Sequence, residues 1–107
     1  MYQVDHYSVS SIEGESAEMS CYLLVGFERN QTVAWKWLME DVEINSLNFN
    51  SSKFKIESSN NVSSLTINNV SYSDKGNYYC VSINDYGQHT RSIYLRVKGK
   101  VFSFIFI

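Results

Sequence analysis

The sequence predicts an all-β sandwich, and three observations carry that expectation. Apolar residues recur with period two along most of the chain, the intervals between those runs are rich in Asn, Ser, Asp and Gly with no Pro anywhere, and the only two cysteines, Cys21 and Cys80, fall in separate alternating runs. Successive side chains of a strand point to opposite sheet faces, so each alternating run supplies one apolar face for a core.

Taken in order, the alternation gives strands over 3–10, 16–23 (Ala17, Met19 and Cys21 inward), 32–39 (Val33, Trp35 and Trp37 inward) and a short 42–46. It continues over 53–58 (Phe54, Ile56), 63–68 (Leu65, Ile67), 77–84 (Tyr78, Cys80) and 89–98 (Ile93, Leu95, Val97). No helix-period stretch competes, and no repeat or low-complexity segment interrupts the pattern. Ser and Asn thicken between Asn45 and Asn61, the segment expected to be least ordered.

The chain has 107 residues, which fits one domain with ample apolar content for a core. Its net charge of −2 is spread over interspersed acidic and basic residues, so no electrostatic footprint for nucleic acid or anionic lipid is present. Two cysteines without a histidine at ligand spacing do not make a zinc site, and a disulfide between Cys21 and Cys80 is the simpler use. Asn-x-Ser/Thr acceptor triplets stand at Asn30, Asn50, Asn61 and Asn69, against about two expected by chance from the Asn, Ser and Thr content. All four fall between the expected strands, where a glycan is tolerated, and with the cysteine pair they favour an oxidising compartment.

The first residues are polar and lack the apolar core of a signal peptide, so the chain reads as an excised piece. The domain is expected over 1–98. Residues 99–107 form an apolar tail, Val101-Phe102-Ser103-Phe104-Ile105-Phe106-Ile107, with two readings open: the start of a transmembrane helix, or a last strand or tail packed on the domain. Nothing resembles a nucleophile with its base, a carboxylate pair or a phosphate-cradling glycine loop. The expectation is therefore no enzyme, no cofactor, no metal and no small-molecule substrate. Glu13, Glu15, His6 and His89 read as solvated surface groups.

One motif is more specific. Asp74-Lys75-Gly76-Asn77-Tyr78-Tyr79-Cys80 matches in full the D-x-G-x-Y-x-C signature of the immunoglobulin superfamily, with Cys21 and Trp37 at the family's spacing. The resemblance implies an immunoglobulin-like Greek-key β-sandwich of two antiparallel sheets with one inter-sheet disulfide, Cys21 to Cys80, covered by Trp37. Trp35 then fills the end of the core and Leu65 lies within it. The resemblance further implies a tyrosine corner at Tyr78 and an ion pair between Asp74 and Lys53, where a lysine's point charge replaces the family's bidentate arginine. The interval from Trp37 to Cys80 leaves no room for the extra strand of antibody variable domains, which implies an I-set or similar domain.

Within that class the chain is similar to the membrane-proximal domain of the basigin, neuroplastin and embigin family. The matching pieces are Glu13-Gly14-Glu15-Ser16-Ala17, Trp35-Lys36-Trp37, Asn50-Ser51-Ser52-Lys53-Phe54 and Leu95-Arg96-Val97-Lys98. This resemblance implies the ectodomain of a single-span cell-surface glycoprotein that binds protein partners and accompanies a multi-span transporter. Two alternatives stand beside it: an unrelated adhesion or receptor domain, and an intracellular muscle-type structural domain of the same fold. On the cell-surface reading, period two turns Tyr79, Val81 and Ile83 outward beside Leu38, Tyr94 and Arg96, and that face is expected to dock a protein partner or a second copy.

Overall fold

The computed structural model describes residues 6–23, 33–45, 52–85 and 87–99. Eight strands run in order β1 (His6–Ile12), β2 (Ala17–Tyr22), β3 (Ala34–Met39), β4 (Val42–Glu43), β5 (Phe54–Ser58), β6 (Val62–Ile67), β7 (Gly76–Asn84) and β8 (Gly87–Lys98). They form two layers: a five-stranded sheet in the order β1-β8-β7-β3-β4 and a three-stranded sheet in the order β2-β6-β5. The sandwich expected from the sequence is the one the chain forms. The β1–β2, β2–β3, β4–β5 and β6–β7 connections pass from one sheet to the other, while β3–β4, β5–β6 and β7–β8 are antiparallel neighbours within one sheet.

Alternation accounts for the core. Ala17, Met19 and Cys21 of β2, Leu65 and Ile67 of β6, Trp37 of β3, Tyr78 and Cys80 of β7, and Ile93, Leu95 and Val97 of β8 are buried in one cluster. Their in-between neighbours Glu18, Thr66, Tyr94 and Arg96 face outward and are more exposed. Val9, Trp35, Met39 and Phe54 pack on its margin.

Three differences from the sequence reading have physical causes. The first strand, described over His6–Ile12 with 3–5 of its expected range outside the described residues, runs on past residue 10 and lies parallel to β8, Tyr7 opposite Ile93 and Ser11 opposite Val97, at the edge of an otherwise antiparallel sandwich. Period two gives strands but not their neighbours or direction, so this pairing was not legible. The strand expected over 42–46 forms ladder pairs only at Val42 and Glu43. Ile44 then dips into the core with its N–H on the Trp37 carbonyl at 2.8 Å. A short 3₁₀ helix, η1 (Tyr72–Asp74), interrupts the crossing before β7, because the Asp74 carboxylate folds back to accept the Ser71 N–H at 2.7 Å.

The turn after β1 joins both layers. Glu13 N–H donates to the Lys98 carbonyl, Gly14 N–H to the Val70 carbonyl, and Val70 N–H to the Glu15 carbonyl, at 2.9, 2.8 and 2.8 Å. Gly14 sits at φ 89°, a region open to glycine at no steric cost. These bonds put the end of β8 and the β6–η1 connection at the same pole of the sandwich.

Candidate functional site

Cys21 and Cys80 form the disulfide between the sheets, 59 residues apart in sequence. Cys80 has Trp37 as its register partner in one sheet, and Cys21 has Ser63 in the other. The Trp37 indole N–H donates to Ser63 Oγ at 2.8 Å, so the covalent link and this hydrogen bond cross the core side by side. Trp37 and Ser63 are both 0% exposed. The Ser58 and Ser63 hydroxyls are also bonded to each other at 2.7 Å. Trp35 is half-buried at the margin of the core and sends its indole N–H to the Ser59 carbonyl at 2.7 Å, reaching the opposite sheet by a second route. Leu65 is fully buried.

Tyr78 lies wholly inside, and its hydroxyl donates to the Asp74 carbonyl at 2.6 Å. Burial is the main cause that pushes its pKa well above the usual tyrosine range, with the nearby negative charges of Asp74 and Glu40 adding to it. Asp74 Oδ2 accepts Lys53 Nζ at 2.8 Å and Ser71 Oγ at 3.2 Å, while Lys53 Nζ also reaches the Asn69 carbonyl at 2.8 Å. Lys53 thus ties the entrance of β5 to the β6–η1 connection, using the several directions of an ammonium group where a guanidinium fork would favour one carboxylate.

Asn61 and Asn69 are exposed, and they stand just before and shortly after β6, at its opposite ends. Asn69 takes φ 48°, a conformation asparagine tolerates better than most residues. Asn30 and Asn50 lie outside the described residues, as do 100–107 of the tail.

The face outlined by the sequence is the outer side of the five-stranded sheet. Across it run the rows Ser92-Tyr79-Leu38-Glu43, Thr90-Val81-Lys36 and Gln88-Ile83-Ala34, with Tyr94 between Asn77 and Ser8, and Arg96 beside Ser10. One residue there is a correction. Val81 points outward by register yet is only 4% exposed, so it cannot serve as a contact anchor. It lies on an interior strand between Thr90 and Lys36, within side-chain reach of both, and Lys36 is itself half-buried. Leu38, Tyr79 and Ile83 are half-buried, while Tyr94, 38% exposed, and Arg96 remain open to a partner. By contrast, the outer face of β2, β6 and β5 is mostly polar, with Ser20 and Ser64 sharing a hydrogen bond at 2.7 Å.

Among the described residues no three or more His, Cys, Asp or Glu side chains gather as a metal site, and no helix is long and apolar enough to cross a membrane. Sequence reasoning missed Ser63 and Glu40. Ser63 stands two residues before the inward Leu65 and four before Ile67, a phase that could have marked it as inward. Glu40, at φ 54° in the β3–β4 turn, receives the Asn77 N–H on Oε1 at 3.1 Å and gives its own N–H to the Asn77 carbonyl at 2.9 Å. Nothing in its sequence surroundings signals that clasp.

Comparison with known proteins places the fold. The model of the immunoglobulin I-set domain matches residues 3–97. V-set and immunoglobulin domain-containing protein 10 of Danio rerio is 33% identical over 89 residues, which are 83% of this chain and 16% of that protein. The chain therefore spans only a small part of the length of the relative it matches. Among solved structures, the titin domains z1z2 in complex with telethonin superpose with a TM-score of 0.74 at 23% identity, covering 88% of this chain and 45% of that one. A twitchin kinase fragment of C. elegans superposes at 0.72 and 27% identity over 94% of this chain and 21% of that one. With the Cys21–Cys80 disulfide, the buried Trp37 and the Tyr78 corner in one sandwich, the chain belongs to the immunoglobulin I-set domain family.

Proposed function

We propose that this domain is an extracellular protein-recognition module of a cell-surface glycoprotein, and that it meets its partner through the exposed part of the outer face of β8, β7 and β3. The observation that carries this reading is the placement of Asn61 and Asn69. Both are exposed and flank β6 of the three-stranded sheet, Asn61 on its connection from β5 and Asn69 on the crossing towards β7, so neither stands on the strands that carry Tyr94 and Arg96. The inter-sheet disulfide supports the compartment, since such bonds persist where the surroundings are oxidising. Partner binding is the general use of the family, and the titin z1z2 structure is itself a complex with telethonin.

On this reading the exposed Tyr94 and Arg96 are the anchors, with Tyr79, Leu38 and Ile83 as the half-buried floor beside them. The basigin-like form of the proposal, a single-span protein accompanying a transporter, rests on the motifs around Trp35-Lys36-Trp37 and on the apolar 101–107 segment. It requires an apolar helix carrying an acidic residue after the domain. The end of β8 and the Asn69 connection then face the membrane and Asn61 points away from it.

The test is a Tyr94→Ala, Arg96→Ala double variant assayed for self-association and for binding to cell surfaces. Loss of about tenfold or more in affinity with an unchanged cooperative melt is expected. Unchanged binding by the folded variant contradicts the assignment of the face. A second reading, an intracellular structural domain, is favoured by the likeness to titin and twitchin, and it requires free thiols and unmodified asparagines.

A further inference from the structure

The Asn61 acceptor triplet ends on a residue that the folded domain uses for something else. Asn61 is exposed, but Ser63, whose hydroxyl completes the triplet, is 0% exposed and is hydrogen-bonded to both the Trp37 indole and the Ser58 hydroxyl. The backbone around it is closed as well. Val62 and Ser63 pair with Tyr22 and Cys21 of β2 on one side, Ser63 pairs with Ser58 of β5 on the other, and the Asn61 carbonyl accepts the Leu23 N–H at 2.9 Å. Ser63 is moreover the register partner of a disulfide cysteine.

Asparagine glycosylation needs an extended Asn-x-Ser/Thr segment whose hydroxyl the transferase can bind. In the transfer, the Asn61 side-chain nitrogen forms a bond to the anomeric carbon of a lipid-diphosphate-linked oligosaccharide. The carbon–oxygen bond to the diphosphate breaks, the lipid diphosphate leaves with the electron pair, and the amide proton passes to a base of the transferase.

We propose that Asn61 is a folding-gated modification site: it accepts a glycan only before β6 is laid between β2 and β5, so its occupancy reports a race between the transferase and closure of the Trp37–Ser63 and Cys21–Cys80 links. Asn69 serves as the internal control. Its triplet ends at Ser71, which is half-buried, lies outside every described strand, and among the described residues bonds its local neighbours Ser73 and Asp74. Opening the Asn69 triplet must also free Val70, 2% exposed and bonded through its backbone to Gly14 and Glu15, but it leaves the β2–β6–β5 ladders paired, whereas exposing Ser63 requires β6 to leave its place between β2 and β5. This gating rests on the secretory reading for its biological use, but its chemistry does not.

The experiment uses the 107-residue chain made without glycans, in two forms: oxidised and folded, or reduced, alkylated and unfolded. Each is incubated with purified oligosaccharyltransferase and lipid-linked oligosaccharide, and peptides bearing Asn61 and Asn69 are quantified by mass spectrometry. Modification of Asn61 is expected to be at least about tenfold slower in the folded form, and the slowing is expected to exceed that at Asn69. Equal modification of Asn61 in both forms, no modification of Asn61 in the unfolded chain, or the same slowing at both sites would overturn the proposal. If protein recovered from cells carries no glycan at all, the extracellular reading falls, while the outcome of this transferase assay still decides the gating.

Discussion

Ser11 faces inward opposite Val97, and its hydroxyl is the buried side-chain oxygen that finds no hydrogen-bond partner among the described residues. Removing an unsatisfied buried hydroxyl relieves a desolvation cost, so Ser11→Ala is expected to raise stability by about 1 kcal/mol in denaturant unfolding. A lower midpoint at unchanged slope would show that the hydroxyl is satisfied. Tyr78 makes the opposite case. Its hydroxyl on the Asp74 carbonyl is buried and bonded, so Tyr78→Phe is expected to cost about 1–2 kcal/mol. The same residue sets an alkaline limit. The folded state holds the Tyr78 proton more tightly than the unfolded chain, whose tyrosine titrates near 10, so the unfolded state loses its proton first. Stability is then full below about pH 10 and falls as pH rises beyond it, and Tyr78→Phe should remove most of that slope. An unaltered alkaline slope in the variant would assign it to another group. The D-x-G-x-Y-x-C motif made Tyr78 and its corner legible; the inward phase of Ser63 was legible too, but its bond to Trp37 across the sheets and the clasp of Glu40 across a turn were not.

At the scale of elements, β7 depends on how it starts. Gly76 sits at φ 143°, and a Cβ added there would lie 3.1 Å from the Glu40 Oε1 that holds the Asn77 N–H. Gly76→Ala is therefore expected to destabilise the fold by about 1–3 kcal/mol, through backbone strain and loss of the Glu40 clasp together. Thermal unfolding of Gly76→Ala checks this, and a variant within about 0.5 kcal/mol of the parent would mean the backbone relaxes at no cost. Strand existence was readable from alternation because β2, β6 and β8 bury one face and leave the other more open; β5 follows it least, since Ile56, expected inward, is 40% exposed on this edge strand. Strand direction and partnership were not readable: β1 lies parallel to β8, η1 forms on a local carboxylate, and β4 keeps only two ladder residues because Ile44 turns into the core. The same limit explains Val81. Period two correctly turned it outward, but its cover comes from neighbouring strands, and only the assembled sheet brings Lys36 and Thr90 beside it.

For the molecule as a whole, the two layers are held by the Cys21–Cys80 bond, the Trp37–Ser63 bond and the Lys53–Asp74 pair, each joining segments far apart in sequence. The disulfide closes a loop of 59 residues, which in the chain-entropy account contributes about 4 kcal/mol, so the Cys21→Ala, Cys80→Ala variant should lose stability on that order in equilibrium unfolding. A loss below about 1 kcal/mol would mean that the indole bond and the packing around it hold the layers unaided. The proposed docking face was only partly legible in the sequence, since which outward residues stay exposed depends on the whole sheet. The central claim is that this sandwich matures in an oxidising compartment and is presented outside the cell. Peptide-mapped mass spectrometry of the protein from the cells that make it, before and after reduction and enzymatic deglycosylation, tests that claim most directly. The account predicts Cys21 and Cys80 in one linked peptide pair and glycan-derived mass at Asn69, with partial occupancy at Asn61; two free thiols with every acceptor asparagine unmodified would contradict it.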